Sequence, residues 1–187
     1  MVARETKLKG CFILEPRVFK DERGYFFESF NQKTFEEAIG KKVNFVQDNQ
    51  SYSTKGVLRG LHFQKGEYAQ AKLVRVLSGK VLDVAVDIRK GSKTYGEHVA
   101  VELSADNKKQ LFIPRGFAHG FVVLSDDAHF FYKCDNFYNS SAESGILFND
   151  TELDIDWKFT HEELILSQKD LELPSLKMYM SAIKVNQ

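Results

Sequence analysis

Cysteine, proline and tryptophan are scarce in this chain, and neither sign of charge is in excess. Two cysteines in 187 residues, Cys11 and Cys134, stand without C-x-x-C spacing. That argues against a disulfide framework or a thiolate zinc site and leaves two reduced, partly buried side chains. Three prolines are too few for a proline-rich linker between domains. Lys and Arg number 26 and Asp and Glu number 26, so no global field favours nucleic acid or an anionic membrane. No stretch reaches the roughly 18 apolar residues of a membrane span. Residues 1–14 lack the apolar core of a signal peptide. The expectation is a cytoplasmic protein with neither nucleic acid nor membrane as partner.

What the chain does have is aromatic and β-branched. Sixteen Phe and seven Tyr against one Trp favour sheet packing and supply rings for stacking. The length fits a single domain over residues 1–187, able to bury roughly 70% of its unfolded surface. Alternating segments at residues 72–77, 81–88, 98–103, 110–113, 117–124 and 128–134 read as strands. Ser78-Gly79-Lys80 reads as a tight hairpin and Ser125-Asp126-Asp127 as a turn. Short strands about ten residues apart point to an all-β barrel or jelly roll. Helix is confined to residues 31–39, ending at Gly40, and to a turn or helix at residues 161–168.

Polar residues cluster at Gln47-Asp48-Asn49-Gln50 and within Gly56-Val57-Leu58-Arg59-Gly60-Leu61-His62-Phe63-Gln64. Gln47, Asn49, Arg59 and His62 would face a common interior only if the barrel mouth holds a polar ligand; the plain alternative is a solvated face. The spacing resembles the metal motif of cupin barrels, G-x5-H-x-H, E-x6-G and P-x-G-x-x-H. Gly56, His62, Lys72 and Gly79 follow its first half, and Pro114, Gly116 and His119 its second. Gln64 stands at one ligand position and Lys72 at the carboxylate position. An ammonium repels a divalent ion, so no metal is expected. The pocket suits an anion formed during a reaction, which points to an enzyme.

Each residue also has a plain reading. His62 alone would be a satisfied structural histidine, and Lys72 would snorkel to solvent. Tyr132 would be a core aromatic, and residues 21–24 a solvated charged turn. Tyr138 either caps the barrel rim or stacks on a base.

Asp21-Glu22-Arg23-Gly24, Gln47-Asp48-Asn49, the segment from Gly56 to His62, Gln70-Ala71-Lys72-Leu73-Val74, Ile113-Pro114-Arg115-Gly116-Phe117-Ala118-His119-Gly120-Phe121 and Tyr132-Lys133-Cys134 together resemble the dTDP-4-dehydrorhamnose 3,5-epimerase family. The resemblance runs from about residue 10 to about residue 176. It implies an all-β, cupin-type jelly-roll barrel with a few short peripheral helices. It also implies a homodimer that needs no cofactor and acts on a dTDP-linked 4-keto-6-deoxyhexose. Position by position, His62 matches the general base, Tyr132 the general acid, Lys72 the enolate-stabilising cation and Asp170 the carboxylate that orients the base. Arg23, Glu28, Gln47, Asn49, Arg59, His119, Glu143 and Lys169 match binding positions, and Tyr138 the ring that stacks on the nucleotide base. Arg23 and Glu28 belong to an arm that, in the family, crosses to the partner's site. Gln50, Lys93, Phe148 and Lys158 depart from the family pattern, and none is a proton-transfer position.

The chemistry agrees with that implication. A carbon acid beside a ketone ionises only against a base in contact and a charge that stabilises the enolate. A neutral histidine serves as base near pH 7, a lysine beside O4 stabilises the oxyanion, and a tyrosine hydroxyl returns the proton from the opposite face. The expected activity is inversion of C3 and C5. An epimerase of C3 only or C5 only on a related sugar is the nearest alternative. A non-catalytic sugar-nucleotide-binding cupin is more remote, because it should have lost His62, Lys72 or Tyr132.

Overall fold

The computed structural model describes residues 1–185. Its strands are β1 (Val2–Glu5), β2 (Phe12–Glu15), β3 (Val18–Asp21), β4 (Gly24–Phe27), β5 (Gln47–Thr54), β6 (Leu58–Gln64), β7 (Lys72–Asp87), β8 (His98–Ser104), β9 (Gln110–Ile113), β10 (Phe117–Cys134) and β11 (Glu143–Gly145). The α-helices among the described residues are α1 (Gln32–Ile39), α2 (Gln168–Leu171) and α3 (Leu176–Val185).

β7 and β10, of 16 and 18 residues, pair antiparallel along their length. The first half of β7 also pairs with β9 and its second half with β8. The first half of β10 pairs with β6 and its second half with β5. Both long strands therefore belong to two sheets. One runs β1-β2-β9-β7-β10-β5, the other β8-β7-β10-β6-β11. This is an all-β, cupin-type jelly-roll barrel with a few short peripheral helices.

The expected hairpin at Ser78-Gly79-Lys80 and turn at Ser125-Asp126-Asp127 are not chain reversals. They face each other as one register break, with Val123 opposite Val81 and then Ala128 opposite Gly79. Gly79 has φ +79°, and a Cβ there would lie 2.0 Å from the Asp127 carbonyl, so only glycine fits. The Ser125 hydroxyl accepts from the Lys80 N–H at 2.7 Å and donates to the Asp127 carbonyl at 2.5 Å. Such a bulge bends paired strands from one sheet into the other. A glycine among polar residues reads alike as a turn or as a bulge, which is why local pattern misassigns it.

Alternation then sorts the side chains. Val74, Val76, Val81, Phe121 and Phe130 fill the space between the sheets. Leu82, Val84 and Val86 face the other way and are covered by Trp157 and Leu176 from the C-terminal segment. Leu73 and Phe112 are covered by Phe35 and Ile39 of α1. Asn31 caps α1 by accepting from the Thr34 N–H, and Gly40 ends it at φ +67°. The segment 161–168 is a 3-10 turn at His161–Glu163, then Ile165 bridged to Val57, then the start of α2. Sequence pattern did not anticipate α3 or the four N-terminal strands. β3 and β4 form a hairpin around Glu22 and Arg23, so residues 21–24 are the expected turn. Phe19, Tyr25 and Phe26 on it are 50%, 59% and 70% exposed.

Candidate active site

Glycine brings β6 against β10. A Cβ at Gly60 would lie 2.5 Å from the Gly120 Cα, so the backbones touch beside the register pair His62 and His119. Leu58, Leu61 and Phe63 take the covered outer face, while Arg59 and His62 line a cavity of about 510 Å³ with Lys72, His119, Tyr132, Lys169 and Asp170. The rings of Phe121 and Phe130 stack at 4.0 Å and form its apolar floor. An adjoining recess of about 260 Å³ shares His62, Lys72 and Tyr132 and adds Gln47, Asn49, Gln64, Tyr138 and Glu143. His62 stands on β6 in one sheet and Tyr132 on the second half of β10 in the other. The two groups border one space from opposite walls.

The Nε2 of His62 lies 2.6 Å from Oδ1 of Asp170. Asp170 comes from α2, where the Ser167 hydroxyl accepts its N–H at 3.2 Å. Its approach is set upstream: Ile165 donates to the Gly56 carbonyl at 2.9 Å and accepts from the Leu58 N–H at 3.0 Å. Burial pushes the Asp170 carboxyl up, but the hydrogen bond and charge of His62, the Ser167 hydroxyl and the Gly60 N–H outweigh it. The group ends below its ordinary range. An ionised Asp170 fixes the proton of a neutral His62 on Nε2 and leaves Nδ1 as the basic nitrogen.

Lys72 opens β7. Its ammonium lies 5.8 Å from the centre of the Tyr132 ring and has no hydrogen-bond or ion-pair partner among the described residues. Burial lowers its pKa, against opposing contributions from Cys134, Asp83 and Glu143. A cation without a partner, at a cavity wall, is available to a developing oxyanion. Burial likewise raises the Tyr132 hydroxyl, with Cys134 and Glu143 adding and Arg59 opposing, so it stays protonated at neutral pH.

His119 is buried, with Nε2 3.0 Å from Oδ2 of Asp83. Burial lowers its pKa more than Asp83 restores it, so the ring is a neutral hydrogen-bonding group. Asp83 is the residue that motif reading missed. Its signal was present: a carboxylate in Val81-Leu82-Asp83-Val84-Ala85, on the inward parity of an otherwise apolar strand.

At the rim, Glu143 Oε2 accepts from the Tyr138 hydroxyl at 2.8 Å and pairs with Lys169 Nζ at 2.6 Å. Burial would raise Glu143, but its bonds to Lys169 and Tyr138 hold it below the usual carboxylate range. Gln47 accepts from the Tyr138 N–H at 3.1 Å and donates to Asn49 at 3.0 Å. Arg59 is steadied by the Ser53 hydroxyl at 3.0 Å. Eleven of the thirteen expected residues thus border the cavity and its recess. Arg23 and Glu28 do not. Arg23 bonds to Asp21 within its own hairpin, and Glu28 accepts from Asn31.

The altered cupin positions do not form a ligand set. The Nε2 atoms of His62 and His119 are each engaged by an aspartate, Gln64 bonds to the backbone around Tyr138, and Lys72 replaces the carboxylate.

A family model described as dTDP-4-dehydrorhamnose 3,5-epimerase matches residues 5–178. The enzyme of that name from Salmonella typhimurium LT2 is 59% identical over 176 residues, covering 94% of this chain and 96% of its own. The crystal structure of dTDP-4-dehydrorhamnose 3,5-epimerase from Elizabethkingia anophelis NUHP1 superposes with a TM-score of 0.91 at 58% identity, over 94% of this chain and 96% of that one. The dTDP-6-deoxy-D-glucose-3,5-epimerase of Legionella pneumophila Philadelphia 1, in complex with dTDP-4-keto-L-rhamnose, gives a TM-score of 0.92 at 48% identity, over 97% and 95%.

Proposed function

The chain belongs to the dTDP-4-dehydrorhamnose 3,5-epimerase family, and we propose that His62, Asp170, Lys72 and Tyr132 carry its reaction. That reaction inverts C3 and C5 of dTDP-4-dehydro-6-deoxy-D-glucose to give dTDP-4-dehydro-L-rhamnose. At each carbon, Nδ1 of His62 removes the proton next to the C4 ketone. The electron pair moves onto O4, where Lys72 stabilises it; one donor so placed contributes roughly 3–4 kcal/mol. Tyr132 then protonates the enolate carbon from the other face, which inverts it; exchange with solvent removes the proton from His62 and restores that of Tyr132 before the second carbon reacts. The observation that carries this reading is the position of His62 and Tyr132 on opposite walls of one cavity, with the unpaired ammonium of Lys72 bordering it. No step needs a redox group or a metal ion.

Arg59, Gln47, Asn49, His119, Glu143 and Lys169 bind the sugar and diphosphate in this reading, and Tyr138 stacks on the thymine. Arg23 and Glu28 serve the partner's site in a homodimer. Support for the dimer comes from the projecting hairpin, whose apolar rings are exposed and whose Arg23 lies outside its own chain's cavity. A cytoplasmic location belongs to the same proposal and is supported by two buried, unpaired cysteines. So does a single catalytic domain over residues 1–187.

An NMR time course in D2O with dTDP-4-keto-6-deoxyglucose tests the activity. Deuterium entering both C3 and C5, with product of inverted configuration at both, is expected. Exchange confined to one carbon would assign a monoepimerase instead.

A further inference from the structure

Gln64 occupies a position where a cupin barrel holds a metal ligand, yet it is 8% exposed and both ends of its amide bond to backbone. Its Oε1 accepts from the Asn139 N–H at 2.8 Å, and its Nε2 donates to the Phe137 carbonyl at a longer 3.4 Å. The side chain therefore clamps the peptides on either side of Tyr138. The rest of that loop is held in the same way. Gln70 donates to the Asn136 carbonyl at 2.8 Å, Asn136 donates to the Glu67 carbonyl at 2.8 Å, and Gln47 takes the Tyr138 N–H. The result is an unusual combination: a ring 54% exposed on a backbone pinned on both sides.

We propose that Gln64 is a positioning residue for the nucleotide, fixing the Tyr138 ring in the plane that stacks on the base. This rests on the reading of Tyr138 as the stacking ring. The residue type follows from the task. The clamp needs one acceptor and one donor about 2 Å apart at the end of a two-carbon arm, which among side chains of this length is a primary amide. A carboxylate loses the donor and sets its charge against the Phe137 carbonyl; methionine keeps the volume and loses both bonds. Preorganising an exposed ring spares the ordering cost that a mobile loop would bring to binding. Gln64 thus acts on affinity, while His62, two residues earlier on β6, acts on the chemical step.

The test is a double-mutant cycle on dTDP affinity by calorimetry, using the wild type, Gln64→Met, Tyr138→Ala and the double variant, with kcat and KM for each. Base–aromatic stacking predicts that Tyr138→Ala weakens dTDP binding about tenfold or more. Loss of the clamp predicts about a tenfold rise in Kd and KM for Gln64→Met, with kcat falling less than threefold. In the Tyr138→Ala background, Gln64→Met should have no further effect, because the proposal routes its influence on the nucleotide through that ring rather than through the recess that Gln64 also borders. Full additivity, or a fall in kcat with KM unchanged, overturns the role of Gln64. Undiminished dTDP affinity in Tyr138→Ala overturns the stacking reading itself. Gln64→Glu keeps the size and covers the case of a poorly folded methionine variant. Its dTDP affinity relative to wild type should recover as pH falls and the carboxyl regains a donor; a pH-independent ratio contradicts the clamp.

Discussion

The imidazole of His62 and the carboxylate of Asp170, 108 residues apart in sequence, meet at 2.6 Å. In the proposed mechanism the contact assigns the tautomer of the base and stabilises the imidazolium that forms once it has taken a proton. Asp170→Asn removes the charge and keeps the shape. We expect deuterium exchange at C3 and C5 to slow together by about 10²-fold or more, with dTDP affinity retained. His62→Ala should abolish exchange at both carbons. Unequal effects at C3 and C5, measured by NMR, would mean that two different bases operate.

The pH profile separates Lys72 from Tyr132. The proposed mechanism requires Lys72 to be protonated, and burial lowers its pKa from the ordinary 10.5. Tyr132 must also be protonated, but burial raises its pKa above 10.0. Burial thus moves the lysine's loss of charge to lower pH and the tyrosine's ionisation to higher pH, and the alkaline fall in activity is expected to follow the lysine. The measurement is the rate of C–H exchange against pH. Lys72→Ala should lower that rate by about 10²–10³-fold and remove this limb from the residual activity.

Chelation should leave activity intact. Lys72 and Gln64 stand at two ligand positions, and aspartates engage both remaining histidines. Turnover before and after prolonged EDTA treatment, with elemental analysis, checks this. Loss of activity restored by one specific metal per chain would contradict the mechanism.

Asp87, at the end of β7 and 0% exposed, pairs with Arg89 at 2.7 Å. Burial pushes its carboxyl up, but bonds from Arg89, Ser92 and Thr94 prevail and bring it down to about 2. A folded pKa below the unfolded one gives stability that is present above about 4 and lost as pH falls toward about 2. The difference corresponds to about 2 kcal/mol. Asp87→Asn should be less stable than wild type to urea at pH 7 by about that amount, with the gap narrowing as pH drops from 4 to 2.

Much of the site is legible in sequence because its members sit in contiguous strand motifs. Arg59 and His62 share β6, Lys72 opens β7, and His119 and Tyr132 share β10; each pair is an odd number of residues apart, and the irregular registers between them bring both members to one cavity. The barrel class follows from the alternation of the strands. The long strands are less legible, because Gly79 and Ser125 serve a bulge with residues that also make turns. Asp83 went unnoticed because a lone acid in an apolar strand has no motif around it. Asp170 is found by resemblance alone, since it reaches His62 through tertiary contacts, among them the bridge between Ile165 and Val57, that leave no local signal. Arg23 and Glu28 lie outside the cavity of their own chain, a separation that no local pattern records.

Tyr132 decides whether the opposite-wall arrangement is the mechanism. Tyr132→Phe removes one hydroxyl and keeps the ring that packs in the interior. The enolate still forms on His62 and Lys72, so the variant should bind dTDP and wash deuterium into substrate, at least at C3. Inversion should fall by about 10²–10⁴-fold at both carbons, since the same hydroxyl is the acid at each. The deciding measurement is one NMR time course in D2O that follows exchange and inversion together in this variant. Exchange persisting while inversion collapses is the predicted result; doubly inverted product at near wild-type rate would show that Tyr132 is not the acid.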